Sequence, residues 1–213
     1  MRHAPARIFA VAAVVSCCAG AARAAEGADG DADRIFGVLP NYTTVDRTLV
    51  PPETTRESFR LASLSTFDAA VYPFIGLMTA LGQGSSGADY GQRYATAFMD
   101  NAVGNFMTTA VVPSLTGEDS RYYRCGEGGV FSRLAYAASR SVVTRTRSGA
   151  AMFNISEVAG TAAAATLSNI YYSPVDRTVG ATMGRWGTQI MWDTVANELK
   201  EFWPDIRAKL RRR

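Results

Sequence analysis

Apolar positions recur at helical spacing along most of this chain, and the alternation expected of strands is nowhere sustained. The clearest run is near the C-terminus. There Val179, Met183, Trp186, Ile190, Val195, Leu199 and Phe202 follow at three or four residues, with one slip of five. That spacing predicts a long helix, opened by Ser173 as N-cap with Pro174 and Asp176 in its first turn, and closed by Pro204. A second helix is predicted from Val130 to Arg147. Phe131, Leu134, Ala135, Ala138 and Val142 share one face of it, and Arg133, Arg140 and Arg147 the other. Asp89 to Val112 predicts a third, with Tyr94, Phe98, Ala102, Asn105 and Thr109 along one stripe and Pro113 as its stop. The first helix begins after Pro51-Pro52, where Thr54 and Glu57 have the spacing of a capping box, and Pro73 kinks or restarts it on the way to Leu81. Between the first two predicted helices, residues 82–87 read as a flexible glycine-serine loop.

The stretch from Ala150 to Tyr172 is different in kind: 23 residues with one charge, Glu157, and little Leu or Val. Ser156, Gly160, Ala164 and Ser168 recur every fourth position, so a helix would carry them as one ridge almost free of side chains. Such a ridge lets neighbouring helices approach closely, which predicts a buried central helix. Gly180 and Gly184 form a second, shorter ridge. The expected fold is therefore all-α: a single compact domain of about five or six helices over residues 34–210. An extended, proline-containing N-terminal arm leads into it from Arg34, and residues 211–213 form a basic tail.

The beginning of the chain is not part of that domain. Arg2 and Arg7, the apolar run Ile8 to Cys18, and Ala22-Arg23-Ala24 have the layout of a signal peptide cleaved after Ala24. Val14-Val15-Ser16 before Cys17 offers a lipoprotein alternative, with acylation of Cys17. Either reading predicts export to the periplasm or cell envelope. Residues 25–33, AEGADGDAD, read as a disordered acidic leader.

Cleavage changes the chemistry on offer. Losing Arg2, Arg7 and Arg23 takes the basic residues from 22 to 19, against 19 acidic ones, and a net charge near zero argues against nucleic-acid binding. His3, the one histidine, leaves too, as do Cys17 and Cys18, so Cys125 remains alone. That excludes an internal disulfide, a Cys/His zinc site and histidine-dependent nucleophilic catalysis. No cofactor or metal is implied. Lys200 and Lys209 are the two lysines of the mature chain, beside 17 arginines.

Three sets of residues could carry function, each with a plainer reading beside it. Asp100, Asn101 and Asn105, with Asn154, Glu157 and Asn169, sit in helices that otherwise want burial, so they line a polar pocket, with Arg121 or Arg185 facing Glu157, or they serve as caps and interhelical hydrogen bonds. Glu157 is three residues after Asn154, the spacing of an N-x-x-E cap. In the loop Glu118-Asp119-Ser120-Arg121-Tyr122-Tyr123-Arg124, acids, arginines and tyrosines either receive an anionic group or pair among themselves. Arg133, Arg140 and Arg147 either lie on an anionic membrane surface or face solvent and partner acids.

Several strings in the chain are recognisable together: RIFGVLPNYTTV (34–45), GQRYATAFMDNAVGNFMTTAVVPSL (91–115), EDSRYYR (118–124), SRLAYAASRSVVTRT (132–146), FNISEVAGTAAAATLSNIYY (153–172), GRWGTQI (184–190) and KEFWPDI (200–206). Together they resemble a family of exported bacterial proteins that has no assigned activity. The resemblance implies a stand-alone secreted unit associated with the cell envelope and supplies no catalytic residues.

The leading expectation is a non-catalytic envelope protein that docks on an anionic membrane surface or an envelope partner. The first alternative is an enzyme or small-ligand binder for an anionic or lipid-like substrate, using Glu118, Asp119, Arg121, Tyr122, Arg124 and Glu157, with Asp100, Asn105, Asn154 and Arg185 as ligand contacts. The second is a membrane-inserted helical oligomer, which Asp100, Glu157 and Arg185 make costly.

Overall fold

The computed structural model describes residues 34–36, 40–45 and 50–212. The expected signal peptide with its Ala24 cleavage site, Cys17 and the acidic leader all lie outside these residues. The described chain is mostly helical, with a few short strands.

Helix α1 (Thr55–Phe67) starts as its sequence predicts: the Thr54 hydroxyl accepts from the Glu57 amide at 3.2 Å. The chain breaks at Asp68 and resumes as α2 (Val71–Ala80), which accommodates Pro73 in its first turn. Helix α3 (Tyr90–Asn105) is capped by Asp89, which accepts from the Gln92 amide at 2.9 Å. It does not stop before Pro113. A π-helical turn at Phe106–Val111 carries it into α4 (Val112–Thr116), which Gly117 closes in the left-handed conformation with φ 75°. The wide turn just before Pro113 displaces the carbonyls that a proline ring would strike, so the helix continues through it.

Two parts of the helical expectation are corrected by strands. Helix α5 covers Val130–Ser139, and Val143–Thr146 then forms a strand where a continuing helix was expected. Ala151–Phe153 is a strand as well, not the first turn of the central helix. In chain order the strands are β1 (Thr44–Val45), β2 (Glu118–Asp119), β3 (Tyr122–Tyr123), β4 (Val143–Thr146) and β5 (Ala151–Phe153). β4 pairs antiparallel with both β2 and β5, while β1 runs parallel to β3 with Thr44 opposite Tyr122. Ser148-Gly149 is thus the turn of a β4–β5 hairpin, with Gly149 at φ 91°. Val143, Thr144 and Thr146 are β-branched and stiff at χ1, which favours the strand over a helix extension.

The central helix begins with a second π-helical turn, Ser156–Gly160, and continues as α6 (Thr161–Ser168). The Glu157 and Val158 carbonyls accept from side chains: Thr161 donates to Glu157, and the Trp186 indole donates to Val158 at 3.0 Å. All four ridge residues, Ser156, Gly160, Ala164 and Ser168, are buried. A Cβ on Gly160 would stand 3.4 Å from the Met107 carbonyl, so the two π-helical turns pack backbone to backbone there. No comparable partner meets the second ridge, since a Cβ on Gly180 or Gly184 would touch nothing within 4 Å.

Helix α7 (Val179–Arg211) departs from its prediction at both ends and in its face. Pro174–Asp176 forms a separate 3-10 turn, and Thr178 is the N-cap, accepting from the Ala181 amide at 3.1 Å. The helix runs through Pro204 to Arg211, absorbing the expected stop and the first residue of the expected tail. Buried Glu201 and Trp203, and Asp205 held by Arg133, fix the chain on both sides of the proline. Val179, Met183 and Val195 of the apolar stripe are exposed, and the buried residues are Glu201 and Trp203. Helix α5 is turned likewise: Arg133 and Ala137 are buried while Phe131 is 87% exposed.

Among the described residues no single helix is long and apolar enough to cross a membrane, although α1 and α2, bent by 55° at their junction, pass on length and composition as a pair.

Candidate functional site

The inner face of α7 is polar. Arg185, Gln189, Asp193, Ala196 and Lys200 fall at helical spacing on one side, and all five line a cavity of about 830 Å³. Its other walls include Asp100, Asn101 and Asn105 of α3, Thr108 and Thr109 of the first π-helical turn, Glu157 of the second, Ala164 and Ala165 of α6, and the loop residues 118–123 with Arg140 and Asn154. The volume lies within the range of small-molecule sites, roughly 300–1,000 Å³.

Glu157 dominates the chemistry of this wall. Its backbone amide donates to the Asn154 side chain at 2.9 Å, so the N-terminal cap predicted from the sequence exists on the asparagine side. The reciprocal half does not form. The carboxyl turns into the cavity instead, 9% exposed, and Oε1 has no hydrogen-bond partner. The neighbour within hydrogen-bonding range of this carboxyl is another carboxyl, that of Asp193. Two carboxyls can share a hydrogen bond only through a proton, and burial plus the Asp193 charge push Glu157 well above the usual carboxylate range. Burial raises Asp193 too, with Lys200 and the Glu157 hydrogen bond opposing. Burial lowers the Lys200 amine against the pull of Asp193 and Glu157. Its Nζ donates to Thr43 Oγ1 at 3.1 Å and stands 6.0 Å from the centre of the Tyr122 ring. Among the described residues no ion pair joins it to either carboxyl.

The remaining expected ligand contacts are engaged in the fold. Asp100 borders the cavity, but both its oxygens accept tyrosine hydroxyls, from Tyr171 at 2.7 Å and Tyr172 at 2.6 Å. Burial raises its pKa and raises those of the two tyrosines. Asn105 donates to Asn101 across one helical turn. Asn154 spends its amide on the Arg140 carbonyl at 2.8 Å. Arg185 does not face Glu157: it spans Asn169 and the Asp176 carbonyl and lies 4.3 Å over the Tyr172 ring.

The Glu118–Arg124 loop is paired, partly within itself and partly to the rest of the fold. Glu118 is 1% exposed and accepts from the Ile155 and Ser156 amides at 2.9 and 3.0 Å and from the Ser156 hydroxyl, so it caps the central helix. Asp119 accepts from Arg121 Nε and Nη2 at 2.9 and 2.6 Å and from the Tyr123 hydroxyl at 2.7 Å. Those donors outweigh burial and hold Asp119 below its usual range. Arg121 also donates to the Pro51 carbonyl, so it too does not face Glu157. Tyr122 donates to Glu201, and the Arg124 amide to the Val45 carbonyl. Ser120 is gripped from α1's approach by Glu53, through its amide at 2.6 Å and its hydroxyl at 2.8 Å.

The three arginines expected on a membrane face do not form one. Arg133 is buried, donating to Glu201 Oε1 at 2.9 Å and Asp205 at 2.5 Å. Arg140 lies 4.8 Å over the Tyr136 ring, and Arg147 donates to Thr55 at 3.1 Å. Burial of apolar surface alone would turn the Phe131 face of α5 inward. The buried carboxylate of Glu201 reverses the orientation by requiring a cation.

Asp193, Lys200, Glu201 and Glu53 are the site and anchor residues that sequence reasoning missed. For Asp193 and Lys200 a signal existed: they are seven residues apart, on the stripe begun by Arg185 and Gln189, beside the apolar stripe that predicts the helix. Among the described residues no group of three or more His, Cys, Asp or Glu side chains could hold a metal ion. No family model, curated protein or solved structure matches the chain.

Proposed function

We propose that this chain is an exported small-molecule-binding protein whose cavity along α7 is the binding site. The observation that carries the reading is the Glu157 carboxyl, buried in the cavity wall with no donor directed at it. Buried polar groups are nearly always bonded, and an unbonded one costs about 1–3 kcal/mol, so a group kept in that condition calls for a partner from outside the fold. The large polar-lined volume provides the room; the loop of residues 118–123 borders it too, but its charged groups are already paired within the fold, which leaves the Glu157 wall as the place with an open acceptor. Export rests on the charge and apolar layout of residues 1–24.

A thermal-shift panel of defined amino acids, sugars, nucleosides, amines and carboxylic acids tests this reading. Ala196→Phe, on the cavity wall, should abolish the shifts that any compound gives with the parent chain while retaining its helical circular dichroism. Equal shifts in both proteins, or none in the parent, would sink the cavity as a site.

The envelope-docking reading keeps one observation of its own. Phe74, Leu77 and Leu81 are exposed at 43%, 58% and 73% along α2 and its C-terminus. With the arginines of α5 engaged, this apolar strip is the surface that would meet a membrane. Flotation of the protein with anionic vesicles, lost on Leu77→Glu, would raise that reading above the first; unaltered flotation would count against it.

A further inference from the structure

We propose that the cavity receives the ammonium group of an organic amine at the Glu157–Asp193 carboxyl pair, an inference that rests on the small-molecule-binding reading. Two independent features point to a cation. The first is Glu157 Oε1, an acceptor nine-tenths buried and without a donor. The second is the placement of Lys200. It lines the same cavity, yet its ammonium is drawn off to Thr43 at 3.1 Å and makes no ion pair with either carboxyl. The built-in cation acts on the pair through its field and leaves the contact position open.

The other buried carboxylates show what such a group normally has. Glu118 takes two helix amides and a hydroxyl, Asp119 a forked arginine, and Glu201 an arginine, two amides and a tyrosine. Glu157 alone among these four is left with a second carboxyl. An ammonium has three donors and one positive charge, so it can bond both carboxyls and replace the charge of the shared proton that departs, while the Lys200 cation offsets the other carboxylate. A carboxylate or phosphate would meet negative charge on two sides. The cavity suits an amine with a carbon skeleton, because Ala164, Ala165 and Trp192 give it apolar wall.

The charge change fixes a further property. The groups acting on Glu157 are Asp193 and Lys200, both from α7. The segments packed on its other sides, FMTTAV of the first π-helical turn, VPSLT of α4 and TAAAATLS of α6, carry no titratable residue, and Glu118 of β2, beside the same turn, is taken up by the Ile155 and Ser156 amides. The empty pair holds one proton, and amine binding expels it. The affinity therefore rises with pH until the ligand's own ammonium deprotonates.

The test uses matched probes. Hexylamine is compared with 1-hexanol and hexanoate, and tyramine with the alcohol and carboxylate of the same skeleton. Each is titrated calorimetrically into the mature chain, Glu157→Gln and Lys200→Gln. At neutral pH, repeating the titrations in two buffers of different ionisation enthalpy counts the protons released. The expected result is that at least one amine binds tenfold or more tighter than its alcohol and carboxylate. Proton release accompanies it, and Glu157→Gln removes both the preference and the release. Preferential binding of the carboxylates, lost in Lys200→Gln, would overturn the amine assignment and leave a small-molecule site standing. Amine binding with undiminished affinity in Glu157→Gln would overturn the assignment as well. Failure of every probe to bind would overturn it too, and the cavity itself is then judged by the Ala196→Phe panel.

Discussion

Glu157 and Glu201 are both buried glutamates on helices, and they have opposite fates. Glu201 is fully enclosed and accepts four hydrogen bonds, from the Tyr122 hydroxyl at 2.9 Å, the Cys125 and Gly126 amides at 2.8 Å and Arg133 Nε at 2.9 Å. Glu157 accepts none and faces Asp193 across the cavity wall. The first ties β3, the loop after it, α5 and α7 into one unit. The second is held in place by the backbone around it, with the Asn154 cap on its amide and Gly160 seated against Met107. Burial alone therefore says little about the role of a carboxylate. What distinguishes an anchor from a candidate site is whether the fold itself supplies the donors.

The comparison is broken most forcefully at the anchor. Glu201→Ala strands Arg133, two amides and the Tyr122 hydroxyl in a buried position, and should cost roughly 3–5 kcal/mol, read as a lower midpoint in urea or heat. A loss of under about 1 kcal/mol would mean that the four hydrogen bonds contribute little and that the contrast between the two glutamates is wrong.

A smaller effect sharpens the contrast through pH. Burial raises the Glu201 pKa, but the Gly126 amide, Arg133, the Cys125 amide and Tyr122 outweigh it and hold the group below its ordinary 4.5. Its contribution to stability is thus present above about pH 4.5 and is lost as pH falls through the depressed folded value. Glu157 runs the other way. Its folded pKa is raised, so its contribution is full below about pH 4.5 and is lost as pH rises through the folded value. Glu157→Gln should therefore change stability by roughly 1 kcal/mol or less near pH 5 and should remove the decline of the parent chain toward pH 8. Thermal melts at several pH values check this; a parent and variant that decline in parallel would show that Glu157 is ionised at no cost, contrary to its unbonded burial.

The helical character of the chain could be read from three- and four-residue apolar spacing, and the Thr54 cap and the Ser156–Gly160–Ala164–Ser168 ridge from single residues. Local geometry decides these features, since a cap or a ridge needs only its own turn of helix. The β4–β5 hairpin was partly visible in Val143, Thr144 and Thr146 around Ser148-Gly149, but helical continuity of the flanking apolar residues outweighed it. Of the candidate site, the Asp100, Asn105 and Glu157 grouping was legible as polar residues in apolar helices. Their joint position on a cavity wall was not, because it depends on α3, the π-helical turn and α7 crossing at one place.

Which side of a helix faces inward is a different kind of fact. The apolar stripes of α5 and α7 are plain in the sequence, yet Phe131, Val179 and Met183 are exposed and Arg133 and Glu201 are buried. A hydrophobic face gains by burial against anything, whereas a buried ion pair gains only from its own partner at the right distance. That partner is 68 residues away for Arg133 and Glu201, so the pairing exists only once the chain has folded. The same holds for Glu157: its position in the chain made it a capping residue, and only the approach of Asp193 on a distant helix made it half of a carboxyl pair.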